Sequence, residues 1–437
     1  MNKARYIFPV SLGCPKNEVD LQYTLAKFEE LGCAVTFDLN VADYVFINTC
    51  SFIKKAKQEA ISTILDFVLN KNELKYKVIV GGCIVSLYKD SLIELFPEAD
   101  AFLEPGRSFN EDIFKYLDNN KLYSNFDNEA CLDDNKRIFF KERPFEYLKI
   151  ADGCSRKCSY CLIPKIRGPY ISYDRKFLIN QARNLALNGK KEIVLVAQDV
   201  TYYGLDSGDS LLKLLEDLES IKEIKWIRLL YLYPDLLSED IIRCISRSEK
   251  ILPYFDIPLQ HAGEKVLRLM RRNPDSDKFL RLIDRIRDII PDSIIRSTFI
   301  VGHPGEDEQE FEKLIKFLEK AKLNWAGFFP YSREEDTFSY SLKDQVAYAE
   351  KKKRLKTAQM IQQDITLRWR ESLIGKSFTV LIEDDLGRNN IGRSYMEAPD
   401  IDSFISFKGS DKIEVGDFVK ILITKNKGFK LEGELIQ

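Results

Sequence analysis

The sequence predicts a multidomain α/β protein with an N-terminal parallel α/β domain, a central partial (βα) barrel of the TIM type and a small C-terminal all-β barrel. Three observations predict it. Short apolar runs alternate with helical patterns through the first third of the chain, as they do where parallel strands are joined by crossover helices. The alternation resumes near residue 138 and continues in one direction. From about residue 375 it gives way to short β-like runs separated by glycines. At 437 residues the chain is long for one domain, and several are expected.

In the first third, Tyr6–Leu12, Ala34–Leu39, Tyr44–Asn48 and Lys77–Val80 read as strands. Helical patterns cover Asn17–Leu31, ended by Gly32, then Ala56–Leu69 and Leu87–Phe96. We place this domain at 1–118. An Asn- and Asp-rich stretch at 119–137 reads as a linker, and Cys131 within it as incidental. The central domain is placed at 138–370. Its candidate strands are Tyr147–Ile150, Glu192–Ala197, Trp226–Leu232, Tyr254–Ile257, Ile294–Val301 and Trp325–Phe329. Helical patterns such as Phe177–Leu187, Leu211–Leu218, Phe279–Ile289 and Phe311–Leu318 lie between them. Ligands of such a barrel collect at the carboxyl ends of the strands. A charged helix, Gln345–Leu373, follows, with Lys351, Lys352, Lys353, Arg354 and Lys356 read as a solvated face. The last domain, 371–437, holds strand-like runs at Ser377–Ile382, Gly392–Glu397, Ser403–Phe407, Phe418–Thr424 and Lys430–Leu435.

Composition limits the chemistry. Net charge is −2, which removes the simplest case for tight non-specific nucleic-acid binding. No apolar run approaches the roughly 18 residues that cross a bilayer. The first residues have no signal-peptide apolar segment, so the cytoplasm is the expected compartment. There, nine cysteines read as metal ligands or buried thiols rather than disulfides. With only two histidines, His261 and His303, metal chemistry must rest on cysteine.

Cys154, Cys158 and Cys161 stand in C-x3-C-x2-C spacing, with Tyr160 just before the last. Three thiolates on one tight loop can hold three irons of a cubane cluster and leave the fourth open. A zinc knuckle is the plain alternative, but it wants four ligands, and no fourth Cys or His is nearby in sequence. Cys14, Cys50 and Cys83 each lie one to three residues past a predicted strand, just before a helix. In a parallel sheet those ends share one edge, so the three are expected to converge as a second metal site. Cys33 and Cys244 read as core thiols.

These runs resemble the radical-SAM methylthiotransferase family over the whole chain. The resemblance is carried by Ser11-Leu12-Gly13-Cys14-Pro15-Lys16-Asn17, Asn48-Thr49-Cys50, Gly81-Gly82-Cys83 and the run from Gly153 to Gly168, and the C-terminal piece resembles a TRAM domain. Pro-Lys-Asn after Cys14, Leu259-Gln260-His261, Arg296 to Gly302 and Gly392 to Pro399 resemble the branch that modifies a ribosomal protein rather than tRNA. The resemblance implies two 4Fe–4S clusters, one on each cysteine set, with S-adenosylmethionine. The implied reaction adds a methylthio group to the β-carbon of an aspartate in small-subunit ribosomal protein twelve, with a flavodoxin or ferredoxin as reductant. A tRNA adenosine methylthiotransferase and a non-catalytic zinc-stabilised binding protein are the alternatives. Acidic residues outnumber basic ones by twelve to nine over 371–437, which suits a basic ribosomal protein better than RNA.

Cofactor contacts are expected from Tyr160, packed on adenine, and from polar groups at strand ends: Gln198 and Asp199, then Gln260 with His261. Val301 and Gly302 would let the backbone approach adenine. Arg296, inside an apolar strand, would bind a cofactor or substrate carboxylate, or form a structural ion pair. Arg167 is open between orienting the cofactor and a salt bridge. His303 stands where the family has Phe and reads as a planar substitute for it.

Overall fold

The alternating pattern of the first third folds as a six-stranded parallel sheet. The computed structural model describes residues 4–126, 136–385, 389–409 and 413–436, and Cys131 lies outside them. The chain forms two compact units: Met1–Glu142 with Gly153–Arg156 and Cys161–Pro169, and Arg143–Asp152 with Lys157–Tyr160 and Tyr170–Gln437.

In the first unit the strands are β1 (Arg5–Ser11), β2 (Cys33–Val35), β3 (Tyr44–Thr49), β4 (Lys77–Gly82), β5 (Ala101–Leu103) and β6 (Tyr123–Ser124), in the order β2-β1-β3-β4-β5-β6. Strand β3 is buried along its whole length, as a central parallel strand must be. Tyr44 and Phe46 pack to one face with helix Pro15–Glu30, while Val45 and Ile47 pack to the other with helix Lys54–Leu74. The strand order reverses between β1 and β3, and a ligand crevice opens at such a switch point.

Two expectations differ here. The strand expected over Ala34–Leu39 is only Cys33–Val35, because β2 is an edge strand and Asp38 caps a 3-10 turn, accepting from the Asn40 N–H at 3.0 Å. Part of the stretch expected as a linker belongs to this unit: Tyr123–Ser124 pairs with β5, and buried Arg137 donates to Gln22 Oε1 at 2.9 Å.

In the second unit, β7 (Phe145–Lys149) is followed by a short antiparallel ribbon of β8 (Ala151–Asp152) and β9 (Ile171–Ser172). The remaining barrel strands are β10 (Glu192–Val196), β11 (Trp226–Leu229), β12 (Tyr254–Asp256), β13 (Ile294–Val301) and β14 (Trp325–Pro330). They form two parallel sheets, β7-β10-β11 and β12-β13-β14. A parallel bridge between Ile227 and Ile251 and the Leu232 N–H on the Asp256 carbonyl, at 2.8 Å, carry one into the other. The result is the expected partial barrel of six strands in chain order.

The C-terminal strands β15 (Ser377–Asp385), β16 (Asn389–Arg393), β17 (Ile405–Lys408), β18 (Phe418–Lys427) and β19 (Lys430–Ile436) close into a barrel. The run expected as a strand over Gly392–Glu397 stops at Arg393, because buried Ser394 turns to donate from Oγ and N to Glu397, at 2.7 and 3.0 Å. The helix between the barrels spans Tyr348–Glu371. Its cationic run is not all solvated: Lys351 Nζ donates to the Tyr331 carbonyl at 3.0 Å, and Arg354 meets Glu306 at 2.9 Å. Among the described residues no helix is long and apolar enough to cross a membrane.

Candidate iron–sulfur and cofactor sites

Cys14, Cys50 and Cys83 all stand at the carboxyl edge of the first unit's sheet, after β1, β3 and β4. Gly13 has φ +99°, and a Cβ there would lie 2.9 Å from Cys50 Cβ, so the β1 and β3 loops touch at this point. Gly82 has φ +91°, and a Cβ would fall within 2.7 Å of the Thr49 backbone and Asn48 Oδ1, so only glycine sets Cys83 here.

Asn17 ties the three loops together. Its Nδ2 donates to the Leu12 and Thr49 carbonyls at 2.7 and 3.1 Å, and Asn48 Nδ2 donates to its carbonyl at 2.6 Å. The spacing to Cys14, one turn into the helix that begins at Pro15, was the available signal for this role. Burial pushes the Cys50 thiol up to about 11, with Cys83 and Cys14 adding to the rise. Burial also raises Cys83, opposed by Arg167. A metal bound here would take these thiols as thiolates and release their protons.

Among the described residues no three Cys, His, Asp or Glu side chains are arranged to hold a single metal ion. A cubane cluster places each thiolate on its own iron and so takes a wider triangle than a lone ion. The edge of this sheet, where close loop packing at Gly13 and Gly82 gathers one buried and two half-buried thiols, is where such a group would be held.

The cysteine loop contributes to both units. In the first, Cys154 is buried, with its N–H on the Gly168 carbonyl at 3.0 Å, and Cys161 Sγ accepts from the Ile163 N–H at 3.4 Å. In the second, Cys158 Sγ lies 4.0 Å from Arg272 Nη1, whose guanidinium is buried, donates to the Pro258 carbonyl at 2.6 Å and covers the Tyr233 ring. Arg272 is a neighbour that the sequence did not reveal, since 114 residues separate it from Cys158. Ser159 is held by the Met270 carbonyl, the Ser339 N–H and His303. Tyr160 meets the His303 ring edge-on at 6.4 Å.

At the barrel's strand ends, Gln198 is half-buried and Asp199 buried, the latter accepting from Thr201 Oγ1 at 2.5 Å while its carbonyl accepts from the Tyr170 hydroxyl at 2.9 Å. Gln260 adopts φ +75° and bridges to β13 through Thr298 and Ile300. His261 lies 3.2 Å from Glu306. Val301 is fully buried at the end of β13.

Two candidates are engaged within the protein. The Gly302 N–H donates to Glu306 at 2.7 Å, and the side where its Cβ would sit is filled by the Lys351 stem at 2.4 Å. Arg296 lies near the start of β13, away from the Val301 end, and its guanidinium pairs with Asp256 at 2.9 Å and Asp402 at 3.4 Å. Arg296 thus forms an ion pair within the barrel, one of the two roles its strand position left open. The planar His303 is also more than a filler, because it makes polar contacts through both ring nitrogens. Cys33 is a core thiol, pushed up to about 12 by burial.

Family models match the chain in three places: the Radical SAM superfamily over 148–318, Uncharacterized protein family UPF0004 over 6–104, and the TRAM domain over 374–436. The chain is 42% identical to the "Ribosomal protein uS12 methylthiotransferase RimO" of Aquifex aeolicus, over 97% of this chain and 96% of the relative. The proteins of the same name from Acetivibrio thermocellus and Thermotoga maritima are 38% and 37% identical, with 98% and 97% of this chain and 97% and 98% of those relatives covered. Among solved structures, the radical S-adenosylmethionine methyltransferase TsrM from Kitasatospora setae, with cobalamin and a [4Fe-4S] cluster bound, matches at TM-score 0.54 and 12% identity, covering 75% of each chain. That likeness speaks to the fold alone.

Proposed function

We propose a substrate and a division of labour among residues on one premise: this chain belongs to the RimO family of radical-SAM methylthiotransferases. It is an enzyme that uses S-adenosylmethionine and two 4Fe–4S clusters. Its substrate is ribosomal protein uS12, the small-subunit protein twelve, modified on the β-carbon of an aspartate. The observation that carries this reading is identity of about two residues in five along nearly the full length of relatives bearing that name.

When bound, a cluster with one open iron supplies the electron that cleaves S-adenosylmethionine to a carbon-centred radical, and the second cluster is where sulfur is held. Cys154, Cys158 and Cys161 would hold the first, and Cys14, Cys50 and Cys83 the second. Arg272 places a buried cation beside Cys158, and Arg167 one beside Cys83. Tyr160, Gln198, Asp199, Gln260 and Val301 line the strand ends where the cofactor binds. Gly302 shapes that edge through its bond to Glu306, and Arg296 holds the barrel from within. The C-terminal barrel, slightly acidic in sequence, recognises the basic protein substrate. A flavodoxin or ferredoxin supplies electrons, and the compartment is the cytoplasm.

Mass spectrometry of uS12 incubated with the reconstituted enzyme, S-adenosylmethionine and a reductant tests this reading. A methylthio mass increase on an aspartate is expected. Labelling of tRNA instead would overturn the substrate.

A further inference from the structure

Arg167 lies six residues beyond Cys161 in the sequence, at the end of helix Ile163–Arg167. Its Nη2 stands 3.2 Å from Cys83 Sγ and 3.1 Å from Asn17 Oδ1, and its Nη1 meets Asp20 Oδ2 at 2.5 Å. The side chain is 5% exposed. Leu162 and Ile166, from the same segment, pack on Cys83 in a small apolar core with Leu87 at its edge. The segment that carries Cys154 and Cys161 in this unit therefore also delivers a buried cation to a thiol of the other cysteine set.

The surroundings hold that cation in place. Asn17 Nδ2 is committed to two carbonyls, so its Oδ1 faces the guanidinium. Asp20 fixes the opposite side of the fork. A planar guanidinium held on two sides keeps one N–H direction for the sulfur, which a flexible ammonium would not. Hydrogen bonds to the sulfurs of an iron–sulfur centre and nearby charge are among the strongest settings of its reduction potential. Reduction adds negative charge to the cluster, and a fixed cation beside a ligand sulfur stabilises that charge.

We propose that Arg167 is a positioning residue of the second cluster, donating to the Cys83 sulfur and raising that cluster's reduction potential. The proposal rests on the assignment of the second cluster to Cys14, Cys50 and Cys83.

The test uses the full chain with Cys154, Cys158 and Cys161 replaced by Ala, reconstituted anaerobically with iron and sulfide, so that the remaining cluster is the second one. Its midpoint potential is followed by electron paramagnetic resonance during a redox titration. Arg167→Met is expected to shift the potential to lower values, and Arg167→Lys to shift it less. Asp20→Asn, which removes a carboxylate opposing the Arg167 cation but leaves the guanidinium beside Cys83, is expected to shift it to higher values. An unchanged potential in whichever Arg167 variant retains iron, or a shift to lower values in Asp20→Asn as large as that of Arg167→Met, overturns the proposal. A parent that takes up no iron overturns the cluster assignment itself, and the proposal with it.

Discussion

The Ser159 hydroxyl and the His303 Nε2 lie 3.3 Å apart, both side chains buried, with Ser159 between two members of the cysteine loop's motif. His303 Nδ1 is 2.9 Å from the Pro304 carbonyl, which can only accept, so Nδ1 carries the proton and Nε2 accepts from Ser159. Replacing His303 with Phe keeps the ring and removes the acceptor, leaving a buried hydroxyl unpaired. A loss of about 1–3 kcal/mol is expected in urea unfolding. Ser159→Ala in the His303→Phe background should restore part of it, and a double variant no more stable than His303→Phe alone would show that the bond contributes nothing.

The same ring predicts an acid-sensitive component of stability. Burial lowers His303 from 6.5 to about 4. Above pH 6.5 the ring is neutral in the folded and unfolded chains, and its contribution is fully present. As pH falls below 6.5 the unfolded chain takes a proton that the folded ring refuses, so stability is lost down to about pH 4. Between pH 7 and 5 this amounts to about 2 kcal/mol. Carboxylates also titrate toward the acid end, so the measurement is the difference in urea-unfolding free energy between the parent and His303→Gln at each pH. The parent's slope should be steeper; parallel slopes would contradict the assignment of a neutral buried ring.

Buried ions lie between the two barrels of the second unit. Glu192 Oε1 meets Arg228 Nε and Oε2 meets Arg393 Nη2, each at 2.7 Å, with Glu192 and Arg228 fully buried. Burial pushes the Glu192 carboxyl up, but Arg393 and Arg228 outweigh it and hold the group below its ordinary range. Arg228 also donates to the Tyr395 carbonyl at 2.9 Å, and Arg393 to the Glu397 carbonyl at 2.9 Å. Glu192→Ala would leave two buried guanidiniums without their shared carboxylate. A cost of about 3–5 kcal/mol is expected in thermal or urea unfolding. An effect under 1 kcal/mol, roughly the value of an exposed pair, would mean that water reaches the site.

How much of this was readable in advance depends on the range of the interaction. Cys14, Cys50 and Cys83 were legible because each follows a strand whose pattern is local, and parallel strands bring their ends to one edge. The reversal of strand order between β1 and β3 was not, because nothing local to β2 says on which side of β1 it pairs. The β2 strand is shorter than its apolar run, since a run at an edge has only one neighbour to continue its ladder. The cost of burying Arg296 alone is legible in its apolar strand, but its partner Asp402 is 106 residues away in the C-terminal domain. Arg393 and Glu192 are 201 residues apart, and a salt bridge over that distance leaves no periodic trace.

The last prediction concerns Gly82. With φ +91° it occupies backbone space that L side chains rarely adopt, and a Cβ would lie 2.5 Å from the Thr49 carbonyl oxygen and 2.6 Å from its nitrogen. Those atoms belong to β3, one residue before Cys50, so they cannot yield without moving a second cysteine. Gly82→Ala should therefore displace Cys83 from Cys50 while leaving the cysteine loop at 154–161 untouched. Anaerobic reconstitution is expected to give about four irons per chain instead of about eight. Cleavage of S-adenosylmethionine to 5′-deoxyadenosine should persist while methylthiolation of uS12 is lost. Retention of about eight irons would show that the β4 loop can relax around the added methyl group, and would weaken the case that this glycine places the ligand.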